Sequence, residues 1–426
     1  MSSYYILKHL TIQLITLLLC ASKQNLCYNK FIMISKKVKD IVESPSNGVI
    51  RKMFEEGAVL KQKFGADKVY DFSIGNPDLD PPQKVVDAVR EVAADTTHLR
   101  HGYMPNAGYP ETRAAMAEKT SREQGVPVTG DCVVMEVGAG GALNVVLKSL
   151  LNPGEEIVIP CPYFAEYNNY VHNHDGEVVP VKTKADFSLD VEAIKAALGP
   201  KTAAVLINSP NNPSGRIYDD SDIVELTNAL KEFGAKTGRY PYLICDEPYR
   251  DITYGKKVAT VFDKYEYAVI ATSFAKNLSV PGERVGYVCI NPACPEKADF
   301  IAAAIFCTRV LGYVNCPAFF QKVIAKSWDA ECDFSTYEKR MKEICEVMDY
   351  AGLKYAKPEG AFYLWVKCPD KWNDDDMAFT NHLKKYNILC APGSGFAGKG
   401  WFRIAYCCSE QSIINSKEAF YKAVHE

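Results

Sequence analysis

The amino-acid sequence predicts an α/β protein whose mostly parallel sheet carries helices on both faces, accompanied by a smaller α+β domain. Short apolar runs of strand length alternate with longer segments of helical spacing through the middle of the chain. Several of these runs end in polar or glycine-rich turns, where sheets of this kind bind their ligands. Beyond Tyr313, long helical segments precede two further strand-like runs, which predicts the second domain.

The predicted strands and helices alternate in a regular order. Apolar runs bounded by turn-forming residues predict strands at residues 70–74, 133–137, 157–159, 178–181, 203–207, 242–245, 267–271, 362–366 and 401–405. Apolar residues at helical spacing predict helices at residues 85–94, 110–122, 142–151, 223–233, 318–328 and 337–351. Residues 138–141 are predicted to form a glycine-rich turn between a strand and its helix.

Composition limits the classes of function. With 426 residues, the chain is long enough for two domains, and its 47% apolar and 24% charged content is ordinary for a soluble globular protein. The net charge of -3 gives no electrostatic reason to expect nucleic acid or a membrane as a partner. The 15 cysteines are scattered without a Cys-x-x-Cys pair, which favours a reducing compartment, the cytoplasm. No metal site is expected, because His172 and His174 have no third ligand nearby.

The N-terminal segment differs from the rest of the chain. Residues 6–20 are largely apolar but are interrupted by Lys8, His9 and Gln13, so the run is too broken for a membrane span and is closer to a signal-peptide core. We expect it to lie outside the fold. The predicted divisions are an extension at 1–32, the first part of the small domain at 33–80, a large domain at 81–315 and the rest of the small domain at 316–426.

Five different predicted strands are each followed by residues that could bind a ligand or take part in catalysis: Gly138–Gly141, Phe164, Asn212, Asp246 and Lys276. A glycine-rich turn that opens a helix presents free backbone N–H groups to a phosphate. A lysine at the end of a buried strand shifts its pKa readily and can then form a Schiff base. Because the ends of parallel strands meet at one edge, we expect these residues to share a ligand site.

Their motifs together resemble the class I and II aminotransferases, which are pyridoxal-phosphate enzymes of fold type I. The resemblance covers about residues 35–420, and the motifs follow one another in the same order as in that family. It is carried by Ser273-Phe-Ala-Lys276, Arg284-Val-Gly, Asn211–Gly215, Asp246-Glu-Pro-Tyr249 and Phe402-Arg403-Ile404. It implies transfer of an amino group between an L-amino acid and a 2-oxo acid by a ping-pong mechanism.

The resemblance also implies a role for each residue around the cofactor ring. Lys276 would form the Schiff base with pyridoxal 5'-phosphate and move the substrate's α-proton. Asp246 would pair with the pyridine nitrogen. Asn212 and Tyr249 would hydrogen-bond the ring's phenolic oxygen, and Phe164 would stack on the ring face.

The phosphate and the substrate would be held by a second set of residues. The backbone amides of Ala139 and Gly140, with Ser273 and Arg284, would hold the phosphate. Tyr103 would reach the phosphate of the other subunit, which implies a homodimer. Arg403 would clamp the substrate's α-carboxylate, assisted by Gly75 and Asn212.

Substrate choice and reaction type stay open at this level. Some family members that use aspartate carry a lysine in the turn that corresponds to Gly138–Gly141, and this chain has only Gly and Ala there. Overall similarity favours aspartate or alanine with 2-oxoglutarate, and aromatic amino acids remain open. The alternatives are a Cβ–S lyase on the same fold and a non-catalytic binding module that has kept it.

Overall fold

A computed structural model describes residues 34–43 and 49–426. The expected N-terminal extension at 1–32 lies outside the described residues. Helix α1, Lys36–Glu43, belongs to one unit, and it carries an ion pair of 3.6 Å between Lys39 and Glu43. Residues 49–426 belong to a second unit. None of the helices described has both the length and the apolar character needed to cross a membrane.

The remaining elements alternate along the second unit. The helices are α2 Val49–Phe64, α3 Gln83–Ala93, α4 Pro110–Gln124, α5 Gly138–Leu150, α6 Tyr167–His172, α7 Val191–Ala197, α8 Asp220–Thr237, α9 Lys297–Val310, α10 Ala318–Ser327, α11 Ser335–Ala351, α12 Asp376–Leu383, α13 Glu410–Asn415 and α14 Lys417–His425. The strands are β1 Tyr70–Asp71, β2 Val133–Glu136, β3 Glu156–Cys161, β4 Glu177–Lys182, β5 Thr202–Asn208, β6 Tyr242–Asp246, β7 Ala268–Ser273, β8 Gly286–Ile290, β9 Tyr355–Ala356, β10 Tyr363–Lys367, β11 Ile388–Leu389, β12 Ala391–Pro392 and β13 Trp401–Ala405.

A seven-stranded sheet forms the centre of the unit, in the order β2-β8-β7-β6-β5-β3-β4. The five neighbouring strands β7, β6, β5, β3 and β4 pair in parallel, whereas β8 is antiparallel to both β7 and β2. The predicted mostly parallel sheet is therefore confirmed, and β8 is an addition to the predicted strands. The central strands are buried along their whole length, as expected when helices cover both faces.

A second, antiparallel sheet has the order β12-β13-β10-β9, and β1 pairs in parallel with β11. The buried apolar side chains form one large cluster between Val85 and Ile324 and another that contains Phe72, Tyr249 and Ile252 with residues of 337–423. The second cluster is an α+β core with α11, α13 and α14 around it. The predicted limits of the two domains stay a prediction.

The start of α5 differs from the prediction. Residues 138–141 were expected to form a turn before a helix at 142, but they are the first turn of α5 itself. Gly138 has a φ of +71°, and a Cβ on it would lie 2.7 Å from Nη2 of Arg284. Glycine is therefore needed for the left-handed backbone and for the close approach of the guanidinium group, rather than for a separate turn.

Candidate active site

Several of the predicted site residues lie at the carboxyl edge of the large sheet. Asp246 is the last residue of β6 and Ser273 the last of its parallel neighbour β7. Asn208 ends β5 on the other side of β6, in register with Asp246. Lys276 and Asn212 lie in the loops that follow β7 and β5. Parallel strands thus bring together residues that are far apart along the chain.

Lys276 is a largely buried amine at this edge. Its Nζ donates a hydrogen bond of 2.7 Å to the carbonyl of Gly75 and lies 5.6 Å from the centre of the Phe362 ring. Burial lowers the pKa of Lys276 to about 8, and the positive charges of Arg403 and Arg284 act in the same direction. A neutral, nucleophilic amine is therefore accessible near neutral pH.

Asp246 keeps one carboxyl oxygen free. Its Oδ2 accepts a hydrogen bond of 2.5 Å from the Tyr167 hydroxyl, whereas Oδ1 is buried and has no partner among the described residues. Burial raises the pKa of Asp246 to about 7, with the bond from Tyr167 opposing the rise and Glu247 adding to it. An unpaired buried carboxyl oxygen is costly, so this atom is suited to receive an N–H group from a ligand.

Arg403 is a buried cation held in a fixed orientation. Its two terminal nitrogens donate hydrogen bonds of 3.0 Å to Asn212 Oδ1 and 2.7 Å to the carbonyl of Ser73. The guanidinium carbon lies 4.6 Å from the ring centre of Tyr363 and 4.8 Å from that of Phe396. Only 3% of the residue is exposed, and its Nε has no partner within the described chain. A buried cation of this kind is suited to bind a carboxylate.

Tyr363 links Tyr249 to the backbone that holds Lys276. The hydroxyl groups of Tyr249 and Tyr363 are 2.8 Å apart and share a hydrogen bond. Tyr363 also lies so close to Gly75 that a Cβ on that glycine would overlap the phenol oxygen. Because Gly75 accepts the hydrogen bond from Lys276, its missing side chain allows the phenol and the amine to approach the same peptide.

The start of α5 is a site of positive potential. The first backbone N–H groups of a helix have no partner within the helix, and the helix dipole adds positive charge there. The guanidinium group of Arg284 lies beside Gly138, and Gly286, which pairs with Ser273, packs against Gly138 as well. We call this group the anion cradle, formed by Gly138, Ala139, Gly140, Ser273 and Arg284.

Two predicted residues, Phe164 and Tyr103, are more exposed than the buried groups described above. Phe164 is half-buried and meets the Tyr167 ring edge-on, with ring centres 5.5 Å apart. Tyr103 is 94% exposed and borders a groove of about 370 Å³ that is lined by residues 101–104 and 313–318. Within a single chain, Tyr103 is therefore not part of the cluster around Lys276.

The sequence did not single out several residues that orient the site: Tyr167, Asn208 and Tyr363. Asn208 donates a hydrogen bond of 2.8 Å to the carbonyl of Asp246 and accepts one of 2.7 Å from the backbone N–H of Asn212. It is the last residue of β5, so its position at a strand end was the available signal. Tyr167 and Tyr363 offer no such signal, because each looks like an ordinary core aromatic residue.

Similar proteins of solved structure share this fold. The chain matches a crystal structure of an aminotransferase from Eubacterium rectale at 35% identity and a TM-score of 0.87, over 92% of this chain and 98% of that one. It also matches the aspartate aminotransferase from Thermus thermophilus with maleate at 26% identity and a TM-score of 0.81, over 92% and 99% of the two chains. The architecture is therefore fold type I, with helices packed around a mostly parallel sheet.

Sequence comparisons give the family. The family model for aminotransferase class I and II matches residues 67–416. Among curated proteins, the aspartate/prephenate aminotransferase of Thermus thermophilus is 29% identical over 397 residues, which cover 92% of this chain and 98% of that protein. The chain belongs to the class I and II aminotransferases, and it is a transaminase.

Proposed function

We propose that this transaminase binds pyridoxal 5'-phosphate at the carboxyl edge of the large sheet and exchanges the amino group of an L-amino acid, with aspartate favoured, for the oxygen of a 2-oxo acid such as 2-oxoglutarate. Members of its family use this cofactor. The observation that carries the proposal is the convergence of three buried groups: the Lys276 amine, the free Oδ1 of Asp246 and the Arg403 guanidinium.

The residues of the site fit the cofactor. A protonated pyridine nitrogen would satisfy Asp246 Oδ1, a buried atom that has no partner among the residues the structure describes. Its anionic phosphate matches the anion cradle, where a helix start and Arg284 supply positive charge. Asn212 and Tyr249 are assigned to the phenolic oxygen and Phe164 to the ring face. When bound, the cofactor's ring withdraws electrons from the substrate's α-carbon and so makes the α-proton easier to remove.

Lys276 is assigned two tasks, to hold the cofactor covalently and to move the α-proton. A pKa of about 8 leaves a usable fraction of neutral amine near neutral pH, and its positive neighbours keep that fraction high. The Gly75 carbonyl, which binds Nζ at 2.7 Å, fixes the direction of the amine. Each half of a ping-pong exchange uses the same amine, first for the amino acid and then for the oxo acid.

Arg403 is assigned to the α-carboxylate of the substrate. Its guanidinium group is held in place by the nearby rings of Tyr363 and Phe396 and by the hydrogen bond to Asn212. A guanidinium group binds a carboxylate through two parallel hydrogen bonds, so a fixed plane sets the orientation of the α-carbon as well.

Dicarboxylate preference is supported by the relatives. The Thermus thermophilus relatives are aspartate/prephenate and aspartate aminotransferases, and one structure holds maleate. The first turn of α5 contributes no cation for a distal carboxylate, since residues 138–141 are Gly and Ala. Alanine and aromatic amino acids therefore stay in the panel of substrates to be measured.

The decisive experiment is an absorbance spectrum of the purified protein with the cofactor, before and after single amino acids are added without an oxo acid. Loss of the visible band with aspartate, alanine or tyrosine would support half of the exchange and rank the substrates. Lys276→Ala should remove both the band and turnover, whereas the control Lys201→Ala, at an exposed lysine, should change neither. Unchanged transamination in Lys276→Ala would refute the assignment.

Two further observations on the purified protein separate the alternatives. Release of pyruvate and ammonia from a cysteine conjugate without an oxo acid would identify a Cβ–S lyase. Absence of any bound cofactor in the wild-type protein would favour a non-catalytic module.

We further propose a homodimer in which Tyr103 reaches the partner's cofactor phosphate. A tyrosine that is 94% exposed beside a groove is suited to be covered by another subunit. Mixed dimers of Lys276→Ala and Tyr103→Phe subunits test this directly. In such a dimer, the subunit that keeps Lys276 has lost its own Tyr103 hydroxyl, and its partner keeps Tyr103. If Tyr103 acts across the interface, the activity per intact Lys276 site should therefore exceed that of the Tyr103→Phe homodimer. Equal activities would show that Tyr103 acts within its own chain or not at all.

The proposed compartment is the cytoplasm. The described cysteines are all free thiols, in keeping with a reducing environment. Fractionation of cells that produce the full chain, with residues 1–32 intact, tests this assignment.

A further inference from the structure

The short helix α6 directs two tyrosines toward the site. Tyr167 and Tyr170 are three residues apart, so they lie on the same side of the helix. The Tyr167 hydroxyl donates to Asp246. The Tyr170 hydroxyl lies at the first turn of α5, where a Cβ on Gly140 would be only 3.0 Å from its oxygen.

That first turn contributes no side-chain donor. Residues 138–141 read Gly-Ala-Gly-Gly, so the helix itself offers only backbone N–H groups to an anion. The only side chains of the anion cradle that can donate to an anion are those of Ser273 and Arg284, and a phosphate has three strong acceptor oxygens that can take further donors. The space that a side chain at Gly140 would take is occupied by the Tyr170 phenol instead.

The Tyr170 hydroxyl is available as a donor. It makes no hydrogen bond with any residue that the structure describes, although the phenol ring packs against the large apolar cluster. Burial raises the pKa of Tyr170 to about 12; the charges of Glu166 and Asp246 add to the rise, and Arg284 opposes it. The phenol therefore keeps its proton across the physiological range and acts as a neutral donor beside Arg284.

We infer that the Tyr170 hydroxyl is a further ligand of the cofactor's phosphate, supplied by α6 at a helix start that carries no side-chain donor of its own. The inference rests on the proposed cofactor site. It makes α6 a link between the two ends of the cofactor, because Tyr167 orients the carboxylate for the ring nitrogen and Tyr170 binds the phosphate.

A packing role for Tyr170 makes a different prediction. If the ring only fills space, removal of the hydroxyl affects every ligand of the site alike or none of them. If the hydroxyl binds the phosphate, its removal weakens ligands that carry a phosphate and leaves the others unchanged. Pyridoxal, which lacks the phosphate but keeps the ring and the aldehyde, separates the two roles.

The test is a titration of cofactor-free protein with pyridoxal phosphate and, separately, with pyridoxal, followed by absorbance. Tyr170→Phe should bind pyridoxal phosphate roughly tenfold more weakly, as expected for the loss of one hydrogen bond to a charged group, and should bind pyridoxal as the wild type does. Inorganic phosphate should compete with pyridoxal phosphate more weakly in Tyr170→Phe than in the wild type, by a similar factor. The matched control is Tyr163→Phe, which removes a hydroxyl that bonds only Asn168 among the described side chains, at 3.1 Å, and should bind both compounds as the wild type does.

Several results would overturn the inference. Tyr170→Phe could bind pyridoxal phosphate as tightly as the wild type, lose affinity for both compounds equally, or raise only the KM of an amino acid, which would place the hydroxyl at the substrate. Failure of the wild-type protein to bind pyridoxal phosphate would instead refute the proposed function itself. A phosphorus NMR signal that is the same in Tyr170→Phe and the wild type, at saturating cofactor, would also contradict the inference.

Discussion

Replacing Asp246 with asparagine is expected to stabilise the cofactor-free protein at high pH while it abolishes transamination. Asp246 is only 5% exposed, and one of its carboxyl oxygens has no partner in the described chain. Asparagine keeps the shape of the group and can still accept the hydrogen bond from Tyr167. It cannot carry the negative charge that the ring nitrogen of the cofactor needs.

The size of the stability change follows from the pKa of Asp246. Burial raises that pKa from an ordinary 3.8 to about 7. Between these values the unfolded chain has lost the proton and the folded chain has kept it, so the free energy of unfolding falls as pH rises and then levels off above pH 7. With about 1.4 kcal/mol for a pKa difference of one, the charge destabilises the folded protein by about 4 kcal/mol at pH 8 and about 2 kcal/mol at pH 5.

Urea unfolding of the cofactor-free proteins at pH 5 and pH 8 measures this effect. Relative to the wild type, Asp246→Asn should gain about 2 to 3 kcal/mol of unfolding free energy between the two pH values, and turnover should fall by several orders of magnitude. The control Asp299→Asn makes the same chemical change at an exposed position in the first turn of α9 and should show no such gain. A stability difference that is the same at both pH values would refute the account of Asp246.

Three further predictions concern the other buried groups. Gly75→Ala should lower kcat at least tenfold, because its Cβ would displace the Tyr363 phenol and with it the carbonyl that holds Lys276. The control is Gly199→Ala, where a Cβ meets nothing within 4 Å, and equal kcat values in the two variants would contradict the reasoning. Arg403→Lys keeps the charge but loses the paired hydrogen bonds, so KM for the amino acid should rise roughly 10- to 100-fold while cofactor affinity stays the same. An unchanged KM would show that Arg403 does not bind the substrate. The rate at which cofactor-free protein reacts with pyridoxal phosphate should rise with pH up to about 8 and then level off, since Lys276 has lost its proton above its pKa of about 8. A rate that continues to rise up to pH 10 would indicate an ordinary exposed lysine.

The sequence alone determined the fold class and the order of the main elements, and it supplied the predicted site residues. These features depend on patterns that are local in the chain: apolar runs of strand length, helical spacing, and motifs around Lys276, Asp246 and Arg403. Their placement at one edge followed from the rule that parallel strands end together, which the register of Asn208 with Asp246 fulfils.

Only the tertiary structure decided which groups are paired and which remain free. The hydrogen bond from Lys276 to Gly75 joins residues 201 positions apart, and that from Arg403 to Ser73 joins residues 330 apart. Burial, which local sequence does not fix, raises or lowers the pKa values of Asp246 and Lys276. The same holds for Tyr170, which the sequence presents as one aromatic residue among many and which packing alone brings to the start of α5.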